Sequence, residues 1–398
     1  MIEIKEVKDD KETIVIHIGT KTITDSNIFL RKLWGLLDKE VKNGWCYTPY
    51  TDPLTKTVYI GCNNVGSFMF DYKTKGCIDR LYISDCKLPR EKIISIVEIA
   101  KTIDSEMDYY VECCFSCADT GIRLANQCFD NVLVKRKGNA TVVGIHIKAF
   151  SDLDLDFWIR QKSAAIRFVL FSYTRRNMKM ESALVSHFDS YDETEMHKYD
   201  YEWFDVDECP KNEADEYYLP IEFFRIISQI CNDTFYDDFI SAVVNASQML
   251  YNAASLSELS YCGECSEIER TGLFDMINAN IVSSLEALLS ADQTSTDICS
   301  CCGQPIYKIV RRIYDLCEKY LGETMAGHIK KRIYANRSKY LHEGRPFTPL
   351  YRYISSFPLI DPRNPRELLS VETPLEYNLI DYCAYIIRKF VCDHYNIV

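Results

Sequence analysis

Near Leu219-Pro220 the spacing of apolar side chains changes, and that change limits the folds open to this chain. Upstream, apolar residues alternate or cluster as they do in strands; downstream they return every three or four residues, as on one face of a helix. Glu12–Gly19, Thr57–Gly61 and Arg80–Ser84 are rich in β-branched and aromatic residues. Val132–Lys135 and Thr141–Ile147 flank Lys137-Gly-Asn-Ala140, a hairpin signal. Two helices are expected among these strands, one headed by Asp25-Ser-Asn and running to Leu37, the other over Arg90–Ile103. Beyond Pro220 helical spacing recurs over Ile221–Cys231, Phe235–Leu256, Leu273–Leu289, Pro305–Tyr320, Met325–Glu343 and Leu375–Tyr395. The expected fold class is therefore α+β: a β-rich or mixed N-terminal domain, residues 1–215, followed by an all-α helical bundle, residues 216–398.

The acidic stretch from Asp189 to Glu216 supplies the boundary between them and much of the net charge of −12. That overall charge argues against a protein coated with nucleic acid. From Gln304 to Arg345 the sign reverses, with Lys308, Arg311, Arg312, Lys319, Lys330, Lys331, Arg332, Arg337, Lys339 and Arg345 facing Asp315, Glu318, Glu323 and Glu343. A basic region inside an acidic chain suits a polyanion site; a solvated helix face is the other reading. The start Met-Ile-Glu-Ile-Lys-Glu lacks a basic segment followed by an apolar core, and no apolar run reaches bilayer length, so a cytoplasmic location and no membrane partner are expected. In that compartment the 18 cysteines are expected as reduced thiols or metal ligands.

Within the basic region, Ile329, Ile333, Arg337, Tyr340 and Leu341 recur at helical spacing. Arg337 thus falls on an apolar stripe, where a guanidinium needs an anion or a carboxylate partner. Gly344 and Pro346 stop the helix, placing His342 in its last turn, where the helix dipole favours the imidazolium. Such a histidine exchanges protons near neutral pH. In the bland alternative Arg337 pairs with a buried carboxylate such as Glu286, and His342 caps the helix end.

Three segments in order give the chain a resemblance to the HEPN superfamily, and within it to the ApeA-like group of bacterial defence proteins. They are Ser284-Leu-Glu-Ala-Leu-Leu289, the basic Pro305-Ile-Tyr-Lys-Ile-Val-Arg-Arg-Ile313, and Ile333-Tyr-Ala-Asn-Arg-Ser-Lys-Tyr-Leu-His-Glu-Gly344, which bears the Arg-x4-His signature. Ser338 stands where that family most often has Asn, Asp or His. The resemblance implies a metal-independent endoribonuclease, without a catalytic cofactor, working as a homodimer or higher homo-oligomer with its Arg/His motifs facing each other. His342 is then the general base on a ribose 2′-hydroxyl or the acid to the leaving 5′-oxygen, and Arg337 holds the scissile phosphate. Asn336, Ser338, Lys339, Arg311 and Arg312 are candidate RNA contacts. The implied role is an anti-phage or toxin-like effector; a nuclease able to kill its host needs restraint, and the N-terminal half, to which the resemblance does not extend, is the expected place for it, as a sensor of a phage-derived or nucleotide trigger. Some members of the superfamily do not cut, which leaves a non-catalytic nucleotide- or protein-binding and dimerisation module as the alternative.

Cys262-Gly-Glu-Cys265 and Cys299-Ser-Cys-Cys302 form two Cys-x2-Cys pairs, whose four thiolates could complete a tetrahedral structural zinc site. Cys113-Cys-Phe-Ser-Cys117 has no matching second pair and is expected as buried strand thiols. No phosphate-binding glycine loop, Gly-x-Ser-x-Gly turn or His-Glu-x-x-His helix occurs, which argues against nucleotide hydrolases, α/β-hydrolases and zinc proteases.

Overall fold

The computed structural model describes residues 2–7, 11–42, 44, 46–52, 57–74, 76–102, 105–117, 123–186, 211–232, 237–261, 266–291, 297–298, 305–306, 309–343, 360–361, 364–368 and 376–396. The chain is α+β, with two sheets in its N-terminal half and helices beyond. It divides into two compact units, one of residues 1–109 and 147–160, the other of residues 110–146 and 161–398.

The first unit is built on a six-stranded sheet ordered β1-β2-β6-β5-β4-β3. Its strands are β1 (Ile2–Val7), β2 (Lys11–His17), β3 (Cys46–Thr51), β4 (Val58–Cys62), β5 (Ser67–Thr74) and β6 (Cys77–Ser84). Every neighbouring pair is antiparallel. Alternation sends Ile14, Ile16, Phe68, Phe70, Leu81 and Ile83 into a core completed by Phe29, Leu33 and Leu37 of α1 (Ile23–Glu40) and by Ile93, Ile96 and Val97 of α2 (Arg90–Thr102). α1 opens with a capping box between Thr22 and Asp25, two hydrogen bonds of 3.0 Å each, so its cap lies three residues before the Asp25 expected from sequence.

The second unit has a five-stranded sheet ordered β11-β7-β10-β9-β8. It comprises β7 (Met107–Ser116), β8 (Gln127–Phe129), β9 (Val132–Lys137), β10 (Ala140–Ala149) and β11 (Lys179–Ser186). The β8–β9 turn holds Asp130 and Asn131 at φ 51° and 61°, the positive values that a tight two-residue hairpin needs and that these residue types tolerate. The β9–β10 turn uses Gly138 at φ 64°. Helices follow: α4 (Ile221–Asn232), α5 (Asp238–Tyr261), α6 (Glu267–Leu288), α7 (Ile309–Leu321), α8 (Glu323–His328), α9 (Ala335–Glu343) and α10 (Glu376–His394). α6 touches α5, α7, α9 and α10. Buried Ala242 and Ala246 let α5 come close, and the Ser284 hydroxyl donates to the Ala246 carbonyl at 2.8 Å.

The structure departs from the sequence reading in two places. A third N-terminal helix, α3 (Asp152–Thr174), is present. Its opening Asp152-Leu-Asp-Leu-Asp-Phe alternates like a strand, and its second half is buried nearly all round, so no helical stripe shows. The helix expected from Pro305 starts at Ile309, because Pro305–Ile306 pairs antiparallel with Asp297–Ile298. Within the second unit, side chains of the sheet and of the helical segment meet. Gln127 Nε2 donates to the Leu219 carbonyl at 2.9 Å, the Leu219 amide returns a 2.7 Å bond to Gln127 Oε1, and Phe224 packs edge-on to Phe129 at 6.3 Å. The β7–β11 sheet therefore belongs with the helices. No described helix is long and apolar enough to cross a membrane.

Candidate active site

α8 and α9 are joined by a single π-helical segment, Ile329–Tyr334. A π turn takes in an extra residue, so everything after it sits about 100° from where uninterrupted α-helical spacing would place it. Ile329, Ile333 and Tyr334 are all buried, whereas Leu341, expected on the same stripe, is 51% exposed. Arg337 follows Ile333 by four residues and Tyr334 by three, and stays next to them on α9.

Arg337 is turned toward α6. Its Nη2 donates to Glu286 Oε2 at 2.6 Å, with side-chain exposures of 16% and 22%. Burial pushes the Glu286 carboxyl above the usual carboxylate range; the Arg337 guanidinium and a hydrogen bond from the Tyr334 hydroxyl pull it partway back. Burial likewise raises the Tyr334 hydroxyl. Arg337 Nε is buried with no hydrogen-bond partner among the described residues. The site thus gathers Glu286, Tyr334 and Arg337, of which Tyr334 was not singled out from sequence; its place three residues before Arg337 on one helix was the available signal.

The remaining candidates scatter. Ser338 is half-buried on α9. The side chains of Asn336, Lys339 and His342 lie outside the described residues, although their backbone continues α9. Positions 337 and 342 are about 7.5 Å apart along the axis and about 140° around it, so one helix does not aim both at one phosphate. Arg311 is 75% exposed, with Nε 3.7 Å from Asp315 one turn on. Arg312 Nη2 donates to the Leu289 carbonyl at 2.8 Å, satisfying a backbone acceptor just past the end of α6. Lys319 pairs with Asp393, and Lys330 rests 5.0 Å from the Tyr314 ring centroid. Several of the basic residues are therefore locally matched, and the field of this region is weaker than its sequence suggests.

Cys262, Cys265, Cys299 and Cys302 lie outside the described residues. Their flanks are described: α5 ends at Tyr261, α6 begins after the Ser266 cap, and Asp297–Ile298 pairs with Pro305–Ile306 on either side of the second cysteine pair. Among the described residues no group of three or more His, Cys, Asp or Glu is placed to hold a metal. Cys113 is fully buried in β7, and burial pushes its thiol up to about 12. No family model, curated protein or solved structure matches this chain.

Proposed function

We propose that the helical part of the chain is a metal-independent endoribonuclease of the HEPN type, with Arg337 and His342 as its catalytic pair. In this reading His342 takes the proton of a ribose 2′-hydroxyl as that oxygen attacks the adjacent phosphorus. The bond to the 5′-oxygen breaks, that oxygen leaves with a proton, and a 2′,3′-cyclic phosphate remains. Arg337 offsets the charge growing on the phosphate oxygens. Because the two positions diverge around the helix, each site draws on two chains of a homodimer or higher homo-oligomer.

The observation that carries the reading is the state of Arg337: half-buried beside a π turn, oriented by Glu286, with a buried N–H that has no partner among the described residues. Buried unsatisfied donors cost about 1–3 kcal/mol each and are uncommon in folded proteins. π turns, for their part, concentrate at functional sites. Glu286 fixes the guanidinium plane without using all five donors.

The same ion pair favours a second reading, in which Arg337 is a structural pin and the helices form a non-catalytic nucleotide- or protein-binding and dimerisation module. Incubation with total RNA in EDTA separates the two. Cleavage is expected for the native protein and expected to fall at least ~10²-fold in both Arg337→Ala and His342→Ala. Cleavage that persists in both variants overturns the catalytic assignment, and so does a native protein that stays inactive when extract of phage-infected cells is added as the source of trigger.

An anti-phage or toxin-like role, with the N-terminal sheets sensing a phage-derived or nucleotide trigger, completes the proposal. So does a structural zinc held by Cys262, Cys265, Cys299 and Cys302. About one zinc per chain is expected in purified protein by elemental analysis, lost in Cys262→Ser/Cys265→Ser; protein purified without chelator and containing none refutes the site.

A further inference from the structure

We propose that Cys46 and Cys62 form a redox modification site on the six-stranded sheet, closed to a cross-strand disulfide by oxidants of the hydroperoxide class and reopened by thiols. Strand register carries the inference. β3 pairs antiparallel with β4, and Cys46 lies directly opposite Cys62. Directly opposed residues on such strands have Cα atoms about 4.5 or 5.5 Å apart, depending on the hydrogen-bonding class of the pair. Both values fall in the span of about 4.4–6.8 Å that a disulfide bridges. Among the described strand pairings no other two cysteines face each other. Cys77 meets Thr74, Cys113 meets Ala183, Cys114 meets Ser182 and Cys128 meets Leu133.

Both thiols lie on the face of the sheet turned away from its core. On the next strand Cys62 is opposite Ser67 and Gly61 is opposite Phe68, a fully buried core residue. Alternation therefore sends Ser67, Cys62 and Cys46 to the other face. A bulge adds Tyr59 to them. Tyr59 and Gly61 are opposite consecutive residues, Met69 and Phe68, so Ile60 is the extra one, and Tyr59 joins Cys62 where plain alternation would separate them. The Tyr59 hydroxyl donates to the Cys62 sulfur and lies within electrostatic reach of Cys46. Two sulfurs thus gather about one phenol.

Exposure orders the chemistry. Cys46 is exposed and Cys62 half-buried beside it, the arrangement of a sensing thiol with its resolving partner. Cys46 Sγ, as thiolate, attacks one oxygen of hydrogen peroxide; the O–O bond breaks, the sulfur becomes a sulfenic acid and the other oxygen leaves as water. Cys62 Sγ then displaces the sulfenic hydroxyl as a second water, and the S–S bond forms. Two thiols have given up two electrons and two protons to one peroxide. β3 ends the strand order and is bonded on one side only, and its register slips between Tyr47 and Tyr50. Such an edge strand can bring the sulfurs into bonding distance without moving the core. Cys113, Cys231 and Cys317, by contrast, are buried, and burial pushes their thiols up to about 12, so they react far more slowly.

This inference does not rest on the ribonuclease reading, and its test needs no activity. The reduced full chain, freed of reductant and kept in EDTA, is treated with hydrogen peroxide; remaining thiols are blocked with iodoacetamide and unreduced peptides are read by mass spectrometry. A peptide joining Cys46 to Cys62, lighter by two hydrogens than its separate halves, is expected in most chains and is expected to vanish with dithiothreitol. In Cys62→Ser the sulfenic acid has lost its resolving thiol, so labelling of Cys46 by dimedone is expected to rise about tenfold. Absence of the linked peptide overturns the proposal, as does linkage of either cysteine mainly to a different one. A link that forms only in urea overturns it too, because the native register would then not be what joins the thiols. Equal dimedone labelling of native protein and variant overturns the sensing role of Cys46.

Discussion

Glu286 carries a charge that its surroundings resist and that Arg337 sustains, so the pair is open to a pH test. Replacing Arg337 with Ala removes the partner and is expected to cost about 1–2 kcal/mol at neutral pH, short of a fully buried pair because both side chains keep some exposure. The sign follows from the Glu286 carboxyl lying above its ordinary value. Its protonated form is favoured by folding, so the stability linked to it is present below the ordinary glutamate pKa and lost as pH rises through the raised one. The ion pair exists only above that range. Urea melts of the native protein and Arg337→Ala should therefore differ more at about pH 8 than at about pH 4; an equal gap at both would mean that the pair contributes nothing. Lys162 gives a second residue-scale test. Its Nζ donates to the Ile230 and Cys231 carbonyls at 2.6 and 2.8 Å, capping the last turn of α4 from a position 3% exposed. Lys162→Met leaves both acceptors buried and unmatched and is expected to cost about 2–3 kcal/mol in chemical denaturation.

At the scale of elements, two residues that sequence periodicity places together differ in burial: Ile333, inside the π segment, is 4% exposed and Leu341, near the end of α9, is 51% exposed. Ile333→Ala is expected to cost about 2–4 kcal/mol, while Leu341→Ser should stay within about 0.5 kcal/mol. Similar losses at both positions would put the stripe back in plain α-helical register. Nothing in Ile329–Tyr334 announces a π turn, since the same residues suit an α-helix equally well. Where pattern and solvent coincide, sequence was a good guide. The β9–β10 hairpin closes on the expected Gly138-Asn139, α4 spans Ile221–Asn232 with one face apolar, and α2 begins at Arg90. α3 escaped because burial nearly all round erases the polar face that makes a helix visible. The site was legible to the same extent. A charge on a helix stripe pointed to Arg337, and the bland alternative named Glu286 as its partner; Tyr334, three residues before Arg337, was within reach of the same spacing argument but was not singled out.

For the whole molecule, the decisive links are ones that no local pattern shows. Gln127 clasps Leu219 across ninety-two residues, so a fragment starting at residue 216 would lose Phe129 of the sheet, against which Phe224 packs, and Tyr173 of α3, against which Phe223 packs. Such a fragment is expected to aggregate, or to unfold without a cooperative transition, whereas the full chain melts cooperatively by circular dichroism. Thiol chemistry gives a global probe. Ellman's reagent should reach exposed Cys46 quickly, while Cys113, Cys231 and Cys317, buried and pushed up to about 12, react only as the protein unfolds. Finally, α10 sets a schedule. Its Arg388, 1% exposed, donates to the Ser172 carbonyl at 2.9 Å, and its apolar residues fill the space beside α5 and α6. On the ribosome the first unit's last strand-and-helix segment, ending at Arg160, is made long before α10. The helical assembly must stay open through that interval, because the helix that closes it has not yet been synthesised. The proposed ribonuclease would thus stay unassembled until α10 has left the ribosome.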